Sequence, residues 1–206
     1  METVDRKKHW ENIYQTKQLT EVSWFQPTPQ TSLDLIGGFN LPLSAKIIDI
    51  GGGDSLLVDH LLDVGYQNIT VLDISEAAIV RAKKRLGERA DAIQWIVSDA
   101  SQFSTSEKYD LWHDRAAFHF LTTPDEIESY LKTARQSIKP AGALIIGTFS
   151  EQGPKKCSGL DIKQYSEESI THLFAPGFEK IKCFTLDHKT PFDTVQNFIF
   201  CTFRRI

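Results

Sequence analysis

Residues 46–55 read KIIDIGGGDS, and this stretch decides the fold. A short apolar run contains an acid, Asp49, and three consecutive glycines follow it at 51–53. In an open α/β sheet, ligands bind beyond the carboxyl ends of the strands. Glycine has no Cβ, so a ligand can approach the main chain there. The stretch therefore predicts a buried first strand that ends at a ligand site.

The rest of the chain alternates apolar runs with amphipathic stretches. Asp54–Val64 has helical spacing and is followed by Gly65 as a stop signal, and Ser75 is a suitable N-cap for the next helix. Thr123 opens a further helix, which is expected to run to about Ile138. Strands are predicted at 46–50, 68–72, 92–97, 109–113 and 143–149. Strands that alternate with helices indicate βαβ units and a mostly parallel sheet.

The end of the chain breaks this rhythm. Segments 178–186 and 194–203 both alternate like strands, and only 187–193 lies between them. No crossover helix fits into so short a connection, so these strands are predicted to be antiparallel neighbours. We therefore expect a single α/β domain over residues 1–206, whose parallel sheet ends in a C-terminal antiparallel hairpin.

Composition limits the classes of partner. The 206 residues are 41% hydrophobic and carry a net charge of -4, which argues against nucleic acid as a partner, because phosphate contacts need a basic surface. No secretory signal or membrane span can be read, so we expect a cytoplasmic protein without membrane contacts. Cys157, Cys183 and Cys201 are odd in number and form no CxxC pair, and they are expected to be free thiols. The histidine spacing indicates no metal site.

Three acids close successive predicted strands on the edge where the glycines lie. They are Asp49, Asp73 and Asp99. An acid about 20 residues after a glycine loop can accept hydrogen bonds from ribose hydroxyls. The dinucleotide fingerprint would need a glycine at position 56, where this chain has Leu56, and this weakens a nicotinamide-binding interpretation.

These motifs resemble a known family. IIDIGGGDS, VLDIS and VSDAS, in that order and spacing, are similar to the cofactor-binding loops of class I S-adenosylmethionine-dependent methyltransferases, over roughly residues 40–206. Ser55 stands where the family often has its last glycine. The resemblance implies a Rossmann-like, doubly wound, seven-stranded sheet over 41–206. It also implies S-adenosylmethionine as the cofactor and S-adenosylhomocysteine as its product.

The resemblance further implies how the methionine end of the cofactor is held. Asp49 would support the glycine loop and face the amino-acid end of the cofactor. Gly51 and Gly53 would pass beneath the methionine moiety. His113, after the fourth strand, would lie near the same end.

The resemblance also implies how the adenosine end of the cofactor is held, by the loops after the second and third predicted strands. Asp73 would hold the ribose hydroxyls, and Ile74 would pack on the adenine. Asp99 would meet the adenine amino group, with the backbone of Ala100 beside it.

The N-terminal segment HWENIYQTKQLTEVSWFQP, residues 9–27, is similar to a subset that includes thiopurine and thiol methyltransferases and some elongation-factor lysine methyltransferases. In that subset the segment forms a lid, so residues 1–40 are expected to be a helical lid. Trp10, Tyr14, Trp24 and Phe25 would cover the cofactor, where aromatic rings also attract a sulfonium. The alternative is ordinary packing of an N-terminal helix against the sheet.

Residues 112–120, WHDRAAFHF, follow the predicted fourth strand, where this family builds its acceptor pocket. Asp114 and Arg115 resemble a pair in the thiopurine-type enzymes. Arg115 could clamp an anionic acceptor, and Asp114 or His113 could take a proton; a structural ion pair between Asp114 and Arg115 is the alternative. The long loop at 150–166 is expected to close over the acceptor.

The function implied is methyl transfer from S-adenosylmethionine to a small molecule, possibly a thiol or another polarizable nucleophile. A protein lysine is the alternative acceptor. An NAD-dependent oxidoreductase and a non-catalytic cofactor-binding module are less favoured alternatives.

Overall fold

The structure is a computed structural model and describes residues 5–206 of the chain. Its α-helices are α1 (Arg6–Thr16), α2 (Gln30–Gly37), α3 (Leu57–Val64), α4 (Glu76–Leu86), α5 (Pro124–Ser137) and α6 (Glu167–Phe174). Its strands are β1 (Lys46–Ile50), β2 (Asn68–Asp73), β3 (Ile93–Val97), β4 (Tyr109–Arg115), β5 (Ile138–Phe149), β6 (Lys156–Cys157), β7 (Leu160–Asp161), β8 (Phe178–Lys189) and β9 (Val195–Arg205). Short 3₁₀ turns lie at Leu19–Glu21, Gly87–Ala92 and Phe118–Phe120.

Seven strands form one sheet in the order β3-β2-β1-β4-β5-β9-β8. β1 to β5 are parallel, whereas β9 runs antiparallel to both β5 and β8. The strand order reverses between β1 and β4, so the switch point lies beside the glycine loop that follows β1. The predicted Rossmann-like sheet with its terminal hairpin is confirmed.

Both faces of the sheet are covered by helices because β1 is apolar on both sides. Ile48 belongs to a buried cluster with Tyr130 of α5 and Phe174 of α6. Its neighbour Ile47 belongs to a second cluster on the opposite face, which includes residues of α2 and α3. Successive side chains of a strand point to opposite faces, so a continuous apolar run predicts this three-layer arrangement.

Several boundaries differ from the sequence-based expectations. α3 begins at Leu57 rather than Asp54, since the Asp54 carboxylate is drawn into ion pairs with Arg81 and Arg85 of α4. β4 continues to Arg115, because its last residues pair with β5. The sequence analysis missed α2 and α6. The predicted loop at 150–166 contains the small β6–β7 hairpin.

The expectation of free thiols is wrong for two of the three cysteines. Cys183 of β8 and Cys201 of β9 stand opposite each other in the hairpin and form a disulfide, with their Cα atoms 4.2 Å apart. Hairpin register brings them together, and register cannot be read from cysteine spacing. Cys157 is free and buried.

None of the helices described between residues 5 and 206 is long and apolar enough to cross a membrane.

Candidate functional site

A pocket runs along the edge of the sheet at the carboxyl ends of the strands. Its lining includes Asp99 after β3, Asp73 of β2, Gly51 after β1, Phe149 of β5 and Phe198 of β9. The order of the strands in the sheet sets the order of these residues along its edge. The pocket therefore extends from Asp99 at one end to Phe198 at the other. The predicted residues that line it are Trp10, Tyr14, Trp24, Gly51, Asp73, Ile74, Asp99 and Ala100.

A smaller pocket adjoins the first and shares Gly51 and Trp24 with it. Its lining also includes four predicted residues, Phe25, Asp49, His113 and Arg115. Gly51 stands at the junction with a left-handed φ of 67°. A side chain at this position would be strained, and its Cβ would overlap that of Ala117 in the turn after β4.

The other two glycines of the loop make room for the acids of the protein itself. A Cβ at Gly52 would overlap the carboxylate of Asp49, and one at Gly53 would overlap the carboxylate of Asp73. Gly53 lines neither pocket, although the sequence analysis placed it beneath the cofactor. The glycines therefore let the loop close tightly over two buried acids, besides exposing backbone at the junction.

Asp73 is buried at the end of β2, on the Asp99 side of the larger pocket. Its Oδ1 accepts a hydrogen bond from the backbone N–H of Ser75, 2.8 Å away. Burial raises the pKa of its carboxyl to about 7, and the negative charges of Asp49 and Glu11 act in the same direction. The charge of Asp73 is thus poised to change near neutral pH.

Asp99 is held at the end of the pocket by the N-terminal helix. Its Oδ1 accepts bonds from the backbone and hydroxyl of Ser101, at 2.8 and 2.7 Å. Its Oδ2 accepts from Arg6 Nη2 at 2.9 Å. Arg6 also pairs with Glu126 at 2.6 Å and donates to the Phe120 carbonyl at 2.9 Å. The sequence analysis did not identify Arg6.

Helix α1 is fastened across the pocket at two further points. The Glu11 carboxylate accepts the free N–H groups of Glu76 and Ala77 at the start of α4, at 2.5 and 3.0 Å. A carboxylate is favoured there because the N-terminus of a helix is electropositive. Arg81 of α4 donates to the carbonyl of Tyr14, 3.0 Å away, near the end of α1.

The aromatic residues of the N-terminal segment both pack and line the pocket. Trp10 is only 8% exposed, and its ring meets those of Trp24 and Phe120 with centroids 5.5 and 5.0 Å apart. Trp10, Tyr14 and Trp24 line the pocket at the same time. The segment therefore packs against the body of the protein, as the second alternative expects, and three of its aromatic residues also line the pocket.

His113 is the centre of a buried hydrogen-bond chain. Its Nδ1 lies 2.7 Å from Asp49 Oδ1, and its Nε2 lies 2.9 Å from Ser32 Oγ. Asp49 and His113 are partners in the β1–β4 register, and Ser32 belongs to α2. Ser32 carried no signal in the sequence, because α2 was not predicted. With both ring nitrogens engaged, His113 is built to fix Asp49 and α2 in place.

Asp114 does not line the larger or the smaller pocket. Its Oδ1 accepts the backbone N–H groups of Ala117 and Phe118, at 3.0 and 3.1 Å. Its Oδ2 accepts from the Tyr130 hydroxyl at 2.8 Å. Burial raises the pKa of the Asp114 carboxyl to about 6. Its contacts hold the turn after β4, and they do not include Arg115.

Arg115 has a buried guanidinium nitrogen that makes no hydrogen bond within the described residues. Its Nη1 donates to the Trp24 carbonyl at 3.0 Å, whereas Nη2 is buried without a partner. Gln26, which lines the same smaller pocket, has its Oε1 buried without a partner. Burial lowers the pKa of Arg115 to about 10, so the guanidinium stays charged at neutral pH. A buried donor and a buried acceptor that lack partners indicate a polar ligand.

The far end of the larger pocket is built by residues that the sequence analysis did not assign to the site or assigned elsewhere. They are Phe120, Phe149, Cys157, Gln196 and Phe198. Gln196 Nε2 donates to Ser23 Oγ at 3.3 Å, and its Oε1 is buried without a partner. Gln196 and Phe198 come from the terminal hairpin, about 150 residues from the glycine loop, and only the sheet order brings them near it.

Comparisons with known proteins agree with this geometry. Residues 48–144 match the family model described as a methyltransferase domain. The chain is 28% identical over 171 residues to the eEF1A lysine and N-terminal methyltransferase of Mus musculus, across 82% of this chain and 24% of that protein. It is 25% identical over 191 residues to EEF1A lysine methyltransferase 2 of Danio rerio, across 85% of this chain and 76% of that protein.

Solved structures share the fold. The N-methyltransferase NodS from Bradyrhizobium japonicum, in complex with S-adenosylhomocysteine, superposes with a TM-score of 0.71 at 16% identity, across 98% of this chain and 99% of that one. The chain spans about a quarter of the length of the first curated relatives it matches.

Proposed function

We propose that the chain is a class I S-adenosylmethionine-dependent methyltransferase and that it transfers a methyl group from S-adenosylmethionine to a small acceptor at the edge of its sheet. The match of residues 48–144 to a methyltransferase domain and the shared fold support this proposal. The observation that carries the proposal is the pair of joined pockets. One end presents Asp73 and Asp99, the junction presents backbone at Gly51, and the smaller pocket holds two unpartnered polar atoms.

The adenosine part of the cofactor fits the larger pocket between β2 and β3. Asp73 would accept hydrogen bonds from the ribose hydroxyls, and Ile74 would pack on the adenine ring. Asp99, held by Arg6, would meet the adenine amino group next to the backbone of Ala100. Gly51 lies between this part and the smaller pocket, where the sulfur would pass.

The amino-acid part of the cofactor fits the smaller pocket. Its carboxylate would accept from Arg115 Nη2, and its ammonium would donate to Gln26 Oε1, which satisfies the two orphaned atoms together. Because Nη1 is already bound to the Trp24 carbonyl, Nη2 is the nitrogen of Arg115 that would meet the carboxylate. The chain from Ser32 through His113 would keep Asp49 beside the ammonium.

The cofactor, when bound, supplies an electrophilic methyl group on a sulfonium with a good leaving group. The residues of this chain would orient the acceptor in line with that bond and exclude water. Trp10 and Trp24 close the pocket from the side of α1, and Phe149 and Phe198 close it from the sheet. This enclosure supports a small-molecule acceptor with a polarizable or uncharged nucleophile.

A protein lysine is the second candidate acceptor. It is favoured by the relatives from mouse and zebrafish, which are named as lysine methyltransferases and align with 82% and 85% of this chain. An NAD-dependent oxidoreductase has less support, since Leu56 replaces the third glycine of that fingerprint.

Calorimetric titration with S-adenosylmethionine, S-adenosylhomocysteine and NAD tests the proposal. We expect micromolar binding of the two adenosyl compounds, no binding of NAD, and loss of binding in Asp73→Ala. Asp91→Ala, which removes an exposed carboxyl, is the matched control and should bind normally. Binding of NAD alone, or of neither adenosyl compound, would overturn the proposal.

A further inference from the structure

The part of the larger pocket beyond Gly51 is called here the acceptor chamber. It is formed by Phe120, Phe149, Cys157, Gln196 and Phe198. The rings of Phe149 and Phe198 meet edge to face, with their centroids 4.7 Å apart. Aromatic walls of this kind favour a flat, apolar molecule that stacks on or meets the edges of the rings.

The acceptor chamber disfavours a cation. The carboxylates that line the larger pocket are Asp73, which ends β2, and Asp99, which follows β3 and is already paired with Arg6. Positive charge lies beside the chamber, because the Arg115 guanidinium lies over the Phe198 ring, 5.1 Å from its centroid, and Arg6 donates to the Phe120 carbonyl. An ammonium group in the chamber would be desolvated without a counter-ion and would face a second cation.

Among the described residues that line it, the acceptor chamber also lacks an effective base. Burial raises the pKa of the Cys157 thiol to about 11, so this side chain stays protonated and neutral. His119 stacks behind Phe149 with centroids 4.4 Å apart, and burial lowers its pKa to about 3. An acceptor that must first lose a proton finds no group here to take it, so the nucleophile must already carry a free lone pair.

Gln196 supplies the polar contact of the acceptor chamber. Its Nε2 is engaged by Ser23 Oγ, which leaves Oε1 as a buried hydrogen-bond acceptor without a partner. An amide oxygen in this position attracts an N–H or O–H group and repels a thiolate or carboxylate.

We propose that the methyl acceptor is an uncharged arylamine, whose ring lies among Phe120, Phe149 and Phe198 while its N–H donates to Gln196 Oε1. This inference rests on the proposed function and specifies its substrate class. The amine nitrogen forms the new N–C bond with its lone pair as the S–CH₃ bond breaks, and the electron pair of that bond remains on sulfur. The positive charge passes from sulfur to nitrogen, where the amide oxygen of Gln196 stabilises the polarised N–H. The extra proton leaves to water when the product is released.

Matched one-ring acceptors test the inference on the full chain at pH 7. S-adenosylhomocysteine formation is measured with aniline, which is uncharged, benzylamine, which is a cation, and thiophenol and benzoate, which supply sulfur and oxygen anions. We expect aniline to have the highest kcat/KM, with benzylamine lower by about tenfold or more because its charge is unpaired. Faster turnover of thiophenol, of benzylamine or of a lysine peptide would overturn the inference.

Variants at Gln196 separate recognition from folding. Gln196→Leu should lower kcat/KM for aniline by about tenfold and leave the Kd of S-adenosylmethionine unchanged. Gln136→Leu, the same change at an exposed position of α5, should have no effect. Gln196→Glu introduces a carboxylate and should shift the preference toward benzylamine, a result that a misfolded chamber would not give; an unchanged ratio of aniline to benzylamine contradicts the inference.

Calorimetry distinguishes failure of the proposed function from failure of the proposed substrate class. If S-adenosylmethionine does not bind, the proposed function fails. If it binds while aniline is not methylated, the substrate class fails and the proposed function remains.

Discussion

Asp73 connects the charge of a single carboxyl to cofactor binding. Ribose hydroxyls donate hydrogen bonds, so they bind the ionised carboxylate better than the neutral acid. Burial raises the pKa of Asp73 to about 7, which places its ionisation within the range where binding can be measured. Binding should therefore weaken as pH falls through 7.

We expect the Kd of S-adenosylmethionine to rise by up to about tenfold between pH 8 and pH 6, as the carboxyl takes up a proton. Asp73→Asn should bind more weakly at pH 8 and show little dependence on pH. Calorimetric titration of both proteins across this range is the measurement. A native Kd that is constant from pH 6 to pH 8 would show that Asp73 does not meet the ribose.

The same carboxyl affects the stability of the free protein with a defined sign. Its pKa is raised in the folded state, so its contribution to the free energy of unfolding is full at low pH and is lost as pH rises through about 7. Ligand binding and stability thus respond to pH in opposite directions at this residue.

Gly53 provides a test of the glycine loop that does not depend on any ligand. Gly53→Ala should lower the free energy of unfolding by about 1–3 kcal/mol, because φ is 35° and the new Cβ would overlap the Asp73 carboxylate. Gly37→Ala is the control, since a Cβ there meets nothing within 4 Å. Chemical denaturation measures both; equal stability of the two variants would contradict the prediction.

Residues next to strand ends could be predicted, whereas residues defined by tertiary packing could not. Asp49, Asp73 and Asp99 were identified because each follows an apolar run that reads as a strand. The free donor of Arg115 and the free acceptor of Gln196 depend on which neighbours already engage the rest of each side chain. No sequence pattern shows which atoms of a side chain stay without a hydrogen-bond partner.

At the scale of elements, α1 is held over the pocket mainly by charged contacts. Arg6→Ala removes the bonds to Asp99, Glu126 and the Phe120 carbonyl. We expect S-adenosylhomocysteine to dissociate about tenfold faster from this variant, since hydrogen bonds to charged groups are the strong ones. Lys7→Ala, on the exposed side of the same helix, is the control. Stopped-flow displacement measures the rates. Equal rates for the two variants would show that the Arg6 contacts do not slow ligand release.

The terminal hairpin gives a second prediction at this scale. The disulfide between Cys183 and Cys201 links residues separated by 18 positions, and a loop of this size contributes about 3 kcal/mol to the free energy of unfolding. Thermal melts with and without reductant should differ accordingly, whereas a double Cys→Ser variant at these positions should not respond to reductant. Identical melts of the native protein in both conditions would contradict the disulfide.

Capping signals explain only part of which helices were predicted, since α3 was predicted without a side-chain cap. Ser75 and Thr123 cap α4 and α5 as expected, and Thr123 forms a capping box with Glu126. α2 begins after Pro29 without a side-chain cap, and the sequence analysis did not identify it. α6 does have a cap at Ser166, but it lies at the end of a segment that was interpreted as an open loop.

At the scale of the whole molecule, the sheet order is what makes a site from distant parts of the chain. Alternating strands and helices, followed by two adjacent strands, were enough to predict the parallel sheet and its antiparallel end. The same pattern did not show that β9 inserts between β5 and β8. This insertion brings Gln196 and Phe198 to the pocket, and it explains why lining residues beside β1, β2 and β3 could be predicted from the sequence whereas those of β9 could not.

A ligand that joins so many elements should stabilise the whole fold. α1, the glycine loop, β2, β4 and β9 all contribute to the two pockets, so cofactor binding and unfolding are coupled by mass action. S-adenosylhomocysteine at about 100 times its Kd should add about 2.7 kcal/mol to the free energy of unfolding. For a chain of this length that corresponds to a rise in Tm of roughly 5–10 °C. Asp73→Ala should lose this rise, whereas Asp91→Ala should keep it. Thermal melts of the native protein and both variants, with S-adenosylhomocysteine and separately with NAD, make the measurement. A rise produced by NAD instead would contradict the fit of the cofactor to these pockets and, with it, the role of every residue assigned along them.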